Sequence, residues 1–207
     1  MDVKLVSYTP NGDVLCAAAA KLCHESDEKT FEEILEEMEN DYDYRKRLIK
    51  YILRKEHLSI LEHASYTFII TGISRVTSHQ LVRHRMASYS QQSQRYVRFK
   101  DLKYVVPPAI SEDPDLSVKY DDIINAIENF YLTAINDKKI KPEDARYLFP
   151  NAGTTKILVT MNARELRHFF SLRLHPTAQW EIREMAHKMY IEVLKVAPLL
   201  FEDIEVV

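Results

Sequence analysis

The sequence predicts an α+β protein. Most of its 207 residues fall into segments of helical period. The few strand-like stretches are not arranged in regular βαβ alternation, and with only three glycines a glycine-rich nucleotide loop is excluded. Residues 3–9 read as a short strand, and Asn11-Gly12-Asp13 as a turn that opens a helix through the Ala-rich stretch to Cys23. Thr30 to Glu39 carries a cap and early acids, and Tyr42 to Lys55 sets Leu48, Tyr51 and Ile52 on one face. Tyr66, Phe68 and Ile70 alternate with Thr67 and Thr71, as in a strand with Gly72 near its end. A short helix follows from Arg75 to Arg83, and then a polar, irregular Ser88 to Gln94. Val105 to Pro108 reads as strand and breaker, Ser117 to Asn136 as a long helix, and Lys141-Pro142-Glu143 as the start of another. Gly153 to Met161 is the second clear strand, and Asn162 to Ser171 and Thr177 to Leu199 are the last helices.

Length and composition fit one domain over residues 1–207, large enough to bury roughly 70% of its unfolded surface. A charge of -3 argues against a general nucleic-acid binder. No basic segment followed by an apolar run opens the chain, so a cytoplasmic protein is expected. Cys16 and Cys23 suggest no disulfide framework and read as buried thiols.

The positive charge is local. His63 to Lys100 contains no Asp or Glu while carrying Arg75, Arg83, Arg85, Arg95, Arg98 and Lys100. Within it, residues 83–96 hold three arginines, a histidine, three serines and three glutamines, a composition no fold requires. Neither a Rossmann fingerprint nor a P-loop is present, so any phosphate must be held by side chains, and arginine forks do this well. If the helix from Arg75 persists, Gln80, Arg83 and His84 share a face and Arg85 points nearly opposite.

A second constellation is Asn162-Ala163-Arg164-Glu165-Leu166-Arg167-His168, followed by Arg173 and Gln179-Trp180-Glu181. Arg164 and His168, one turn apart, suit a single ligand, whereas Glu165 and Arg167 read as partners in surface ion pairs. A third is His57, Ser59, Glu62 and His63, which completes no zinc pattern, so no metal is expected. Neither cysteine lies among these polar groups and Ser93 lacks an elbow motif, so the chemistry points to a cofactor. The competing reading is a single-stranded nucleic-acid binder that stacks bases on Tyr89, Tyr96 and Phe99.

Arg83-His84-Arg85, seven intervening residues, then Ser93-Gln94-Arg95 resembles the hallmark of the flavin-dependent thymidylate synthases. The resemblance extends upstream to His57 through His63. Downstream it takes in Ala145-Arg146 with Pro150, Asn162 through Arg173, and Ala178 through Glu181. It implies a small, mostly antiparallel sheet flanked by long helices, in a homotetramer with shared active sites. It also implies reductive methylation of dUMP to dTMP with FAD, NADPH and 5,10-methylenetetrahydrofolate, without nucleic acid or membrane. By the same resemblance, Gln80, Arg83, Gln91, Gln92, Ser93, Gln94, Arg95, Arg146 and Arg173 hold dUMP, with Arg173 catalytic at the uracil. FAD falls to His57, Ser59, Glu62, Arg83, His84, Arg85, Asn162, Arg164, His168 and Thr177. Where many relatives carry Asn, Glu and sometimes His, this chain has Ser90, Gln91 and Thr177.

Overall fold

A computed structural model describes residues 1–25, 29–99 and 101–206. Lys100, the last cation of the acid-free run, lies outside them. In chain order the elements are β1 (Asp2–Tyr8), α1 (Gly12–Leu22), α2 (Phe31–Asn40), α3 (Tyr42–Arg54), β2 (Ser65–Ser74), α4 (Arg75–Leu81), β3 (Ala87–Gln91), α5 (Pro108–Ser111), α6 (Pro114–Asn136), α7 (Pro142–Ala145), β4 (Thr154–Asn162), α8 (Ala163–Arg173) and α9 (Trp180–Leu194). Short 3₁₀ turns stand at Leu58–His63, Arg146–Leu148 and Pro198–Leu200. The strands form an antiparallel sheet in the order β1-β2-β4-β3, so the expected α+β class holds. Among the described residues no helix is long and apolar enough to cross a membrane.

By its contacts the chain divides into two units, one of residues 1–2, 70–83 and 90–157, the other of 3–69, 84–89 and 158–207. The second unit contains α1 to α3, α8 and α9. Helix α2 begins in a reciprocal cap, Thr30 Oγ1 accepting from the Glu33 N–H at 3.2 Å while the Thr30 N–H donates to Glu33 Oε2 at 2.7 Å. Gly12 is tightly packed: a Cβ there would meet Tyr66 Oη at 3.0 Å and Ala64 Cβ at 3.3 Å, so its neighbours would have to give way slightly. Alternation along β2 sends Tyr66 and Phe68 into a core with Phe169, Phe170 and Phe201. Each such ring contributes about 1.5–3 kcal/mol on burial. On the other face of the sheet Thr67 and Thr160 join hydroxyls at 2.9 Å. In α3 the buried residues are Ile49 and Ile52, and Tyr51 of the predicted face is exposed, because the buried stripe runs one position later than Leu48 and Tyr51.

The first unit packs Tyr131, Ala134 and Ile135 of α6 against Ala145, Phe99 and Phe149. The Tyr131 and Phe149 rings lie 4.6 Å apart and those of Phe99 and Phe149 5.4 Å. Helix α4 stops at Leu81, its last buried residue, so the face expected to gather Gln80, Arg83 and His84 does not form. Ser88 to Gln91, read from sequence as irregular, belongs to edge strand β3, whose half-buried positions are Ala87, Tyr89 and Gln91. Its period of two is carried by small and polar residues and leaves no apolar signal. Around Val105 there is no strand of any length, only the bridge between Tyr104 and Gly153 and the Val105 N–H to Ala152 carbonyl bond at 2.9 Å.

Candidate active site

The Arg-His-Arg segment alternates out, in, out: Arg83 and Arg85 are exposed and His84 is only 5% exposed. Tyr89 Oη donates to the His84 carbonyl at 2.7 Å, which holds the backbone in place. The imidazole edge-packs on Phe169 with centroids 5.0 Å apart and lies 5.8 Å from the His168 ring. Both ring nitrogens are engaged. Nδ1 is 3.2 Å from Glu165 Oε1, and Nε2 accepts from Arg173 Nε at 3.2 Å. Since an arginine Nε–H only donates, Nε2 must be unprotonated and Nδ1 carries the hydrogen that Glu165 accepts. Burial first, then the Arg173 and His168 charges, push the His84 pKa down to about 4, in keeping with a neutral ring.

Glu165 was expected at a surface ion pair, but it is buried on α8 under His84, and burial raises its pKa. Asn162 caps that helix by accepting from the Glu165 N–H at 2.9 Å. Arg167, likewise expected in a pair along the helix, reaches instead beyond α8. It donates to both Asp203 carboxylate oxygens at 2.6 and 2.7 Å and to the Leu200 carbonyl at 2.6 Å.

Within the same unit, a cavity of about 700 Å³ is lined by Glu62, Asn162, Arg164 and His168 from the expected flavin set. Leu58, Met86, Arg167 and Ser171 join them, as does Glu165. Met86, an apolar side chain immediately after the basic triplet, is 68% exposed. Arg164 spans to Glu62 at 2.6 Å, an exposed pair whose small stability makes it cheap to exchange for a ligand anion. His57, Ser59, Arg85 and Thr177 are exposed and do not line the cavity, and Thr177 Oγ1 lies 2.7 Å from His175 Nδ1. His84 stands behind the cavity rather than in its lining, because its ring is packed on Phe169.

In the other unit, the end of β3 and the turn after it carry most of the expected nucleotide residues. Gln91 Nε2 donates to Thr155 Oγ1 at 3.2 Å and the Gln92 N–H to the Lys156 carbonyl at 2.9 Å, so the segment is fixed against β4. Ser93 Oγ accepts from the Arg95 N–H at 3.1 Å, and the Arg95 guanidinium meets Glu143 at 2.6 Å. Arg146 Nε donates to the Glu143 carbonyl at 3.2 Å, so one acidic residue organises both arginines. Arg75 belongs to the acid-free run. It is half-buried, and burial and the Arg146 charge lower its pKa. Gln80 is half-buried at the end of α4. Gln92 and Gln94 line a separate cavity of about 370 Å³ with Thr155 and Lys156. The aromatic residues proposed as base-stacking platforms are mostly occupied: Phe99 sits in the ring cluster and Tyr89 is tied to His84, leaving Tyr96 exposed beside Arg95. Cys16 is buried as expected, but Cys23 is exposed, because it stands beyond the last residue of α1.

A profile described as thymidylate synthase complementing protein matches residues 4–199. The flavin-dependent thymidylate synthase of Clostridium tetani is 43% identical over 97% of this chain and 85% of its own length. The chain belongs to the flavin-dependent thymidylate synthase family. The synthase of that name from Geobacter sulfurreducens is 46% identical over 98% of the chain and 86% of its own. Among solved structures, a UMP/dUMP methylase, PolB of Streptomyces cacaoi bound with 5-Br dUMP, superposes with a TM-score of 0.84. It is 26% identical over 97% of this chain and 93% of that one. Membership makes the chain a flavin enzyme, and the 700 Å³ cavity fits the group. Arg164 offers a cationic donor and His168 an imidazole for a pyrophosphate, and Leu58 and Met86 offer apolar surface for a ring.

Proposed function

We propose that this flavin-dependent thymidylate synthase methylates dUMP to dTMP, with 5,10-methylenetetrahydrofolate as one-carbon donor and NADPH as reductant, releasing tetrahydrofolate in de novo dTMP synthesis. The observation that carries the reading is the Arg83-His84-Arg85 and Ser93-Gln94-Arg95 spacing in a family whose solved neighbour binds a dUMP analogue. The thiols support it. Cys16 is buried with its pKa pushed up to about 12, chiefly by that burial, and exposed Cys23 donates its S–H to the Ala19 carbonyl at 3.4 Å. Cys16 is not an activated nucleophile and neither cysteine lines either cavity, so in this reading the carbon transfer does not run through cysteine.

In this reading Ser93, Arg95 and Arg146 hold the monophosphate, and Gln80, Arg83, Gln91, Gln92 and Gln94 complete the nucleotide contacts. Arg173 donates to the uracil carbonyl and stabilises the charge that develops on it. Such a donor is worth about 3–4 kcal/mol. Glu62, Asn162, Arg164 and His168 hold FAD, with His57, Ser59, Arg83, Arg85 and Thr177 around them. Bound flavin supplies the hydride that completes the methyl group.

The reading includes a homotetramer with shared flavin sites. An exposed apolar row on α6 supports self-association, since Leu116, Ile123 and Phe130 recur every seven residues and are 47%, 60% and 52% exposed. The direct test is the visible absorption spectrum of the purified protein. Flavin bands that bleach under NADPH and shift with dUMP support the reading, whereas a colourless protein that takes up no added FAD contradicts it.

A further inference from the structure

A buried glutamate, a neutral histidine and an arginine in series are a costly way to fasten a helix end, and their order suggests another purpose. We propose that Glu165 and His84 are positioning residues for Arg173: Glu165 accepts the Nδ1–H of His84, so that Nε2 accepts the Nε–H of Arg173 and fixes the plane of the guanidinium. The inference rests on the reading of Arg173 as the group that meets the uracil.

The reason for an intermediary is electrostatic. Glu165 bonded to Arg173 itself would add its negative charge at short range. A neutral imidazole between them passes on the orientation and keeps the carboxylate one ring away. The relay is held rigidly. The His84 backbone is anchored by Tyr89 Oη at 2.7 Å, and its ring lies against Phe169 at 5.0 Å. Glu165 belongs to the first turn of α8, set by the Asn162 cap at 2.9 Å, and Arg173 is the last residue of the same helix. One helix therefore carries both ends of the relay, and the Arg-His-Arg segment supplies its middle. With Nε held, the Nη edge of the guanidinium is presented in one direction, and orientation of that kind governs rate strongly.

The test uses the full-length, flavin-loaded protein. His84→Asn keeps a donor at the Nδ1 position but is too short to reach Arg173, whereas His84→Gln places an acceptor near the Nε2 position. His84→Asn should lower kcat on the order of a hundredfold while flavin content and Tm stay near the parent values, and His84→Gln should recover at least a tenfold part of that loss. In an Arg173→Ala background His84→Asn should cost nothing more, because the group it positions is gone. Equal rates for the Asn and Gln variants, or a further loss in the Arg173→Ala background, would overturn the proposal.

A second measurement needs no turnover. Nitrogen-15 spectra of histidine-labelled protein at pH 7 should show His84 as the Nδ1–H tautomer, with its Nε2 resonance moving in Arg173→Ala. A ring protonated on Nε2 cannot accept from Arg173, and finding one would end the relay even in an active enzyme. A protein that shows the expected tautomer but forms no dTMP would keep the relay geometry and discard the enzymatic reading.

Discussion

Arg173 and His84 are 89 residues apart in sequence and joined by one hydrogen bond, Nε to Nε2 at 3.2 Å. That bond ties the residue proposed to act on the uracil to the centre of the Arg-His-Arg motif. It gives the histidine a purpose that its place in the motif does not reveal.

Arg173→Ala removes the donor and should lower kcat about a hundredfold to a thousandfold, with flavin still bound. Steady-state rates together with the flavin absorbance of the same preparation check both halves of this statement. Full activity would remove Arg173 from the chemistry.

Arg95 faces Glu143 at 2.6 Å, an exposed pair that holds the guanidinium fork in place. Arg95→Lys keeps the charge but loses the planar, two-pronged geometry that suits phosphate. The KM for dUMP should rise roughly tenfold with kcat changed far less. Deoxyuridine, which has no phosphate, serves as control, and its weak binding should not change.

Arg164 and Glu62 form a second exposed pair beside the cavity proposed to hold flavin. Glu62→Gln should alter unfolding free energy by less than about 0.5 kcal/mol, because exposed pairs contribute little. Arg164→Ala should weaken FAD binding roughly tenfold, as loss of a charged donor to phosphate does. Thermal melts and flavin titrations separate the two effects.

Asp13 gives a pH prediction far from the chemistry. Burial pushes its pKa from 3.8 up to about 6, against the opposing hydrogen bond from the Leu199 N–H at 3.2 Å. A carboxyl with a raised folded pKa binds its proton more tightly in the folded state. Its neutral form therefore favours folding, and stability is lost as pH rises from about 4 to about 6. Asp13→Asn keeps an acceptor for Leu199 and carries no charge. Its stability should match the parent near pH 4 and exceed it by about 3 kcal/mol above pH 6, measured by denaturant unfolding across that range.

What the sequence made legible follows from how each signal arises. The Thr30 cap, the alternation of Tyr66, Phe68 and Ile70, and the start of α8 at Asn162 are local patterns, and they appear in the structure within a residue or two. Strand β3 was missed because an edge strand of serines, glutamines and a tyrosine has no apolar period to read. Glu165 was missed for a different reason. In sequence it resembles any acidic residue among arginines, and only the packing of α8 against the Arg-His-Arg segment buries it beneath His84. Among the flavin candidates, Glu62, Asn162, Arg164 and His168 converge on one cavity, while His57, Ser59, Arg85 and Thr177 are exposed and do not line it.

We propose that this chain makes dTMP without a cysteine nucleophile. The most direct measurement is chromatographic detection of dTMP from dUMP, methylenetetrahydrofolate and NADPH, using the flavin-loaded protein in which Cys16 and Cys23 are both replaced by Ala. The double variant should form dTMP and tetrahydrofolate in equal amounts at a rate close to that of the parent. Loss of all dTMP formation in a folded, flavin-bound double variant would contradict it.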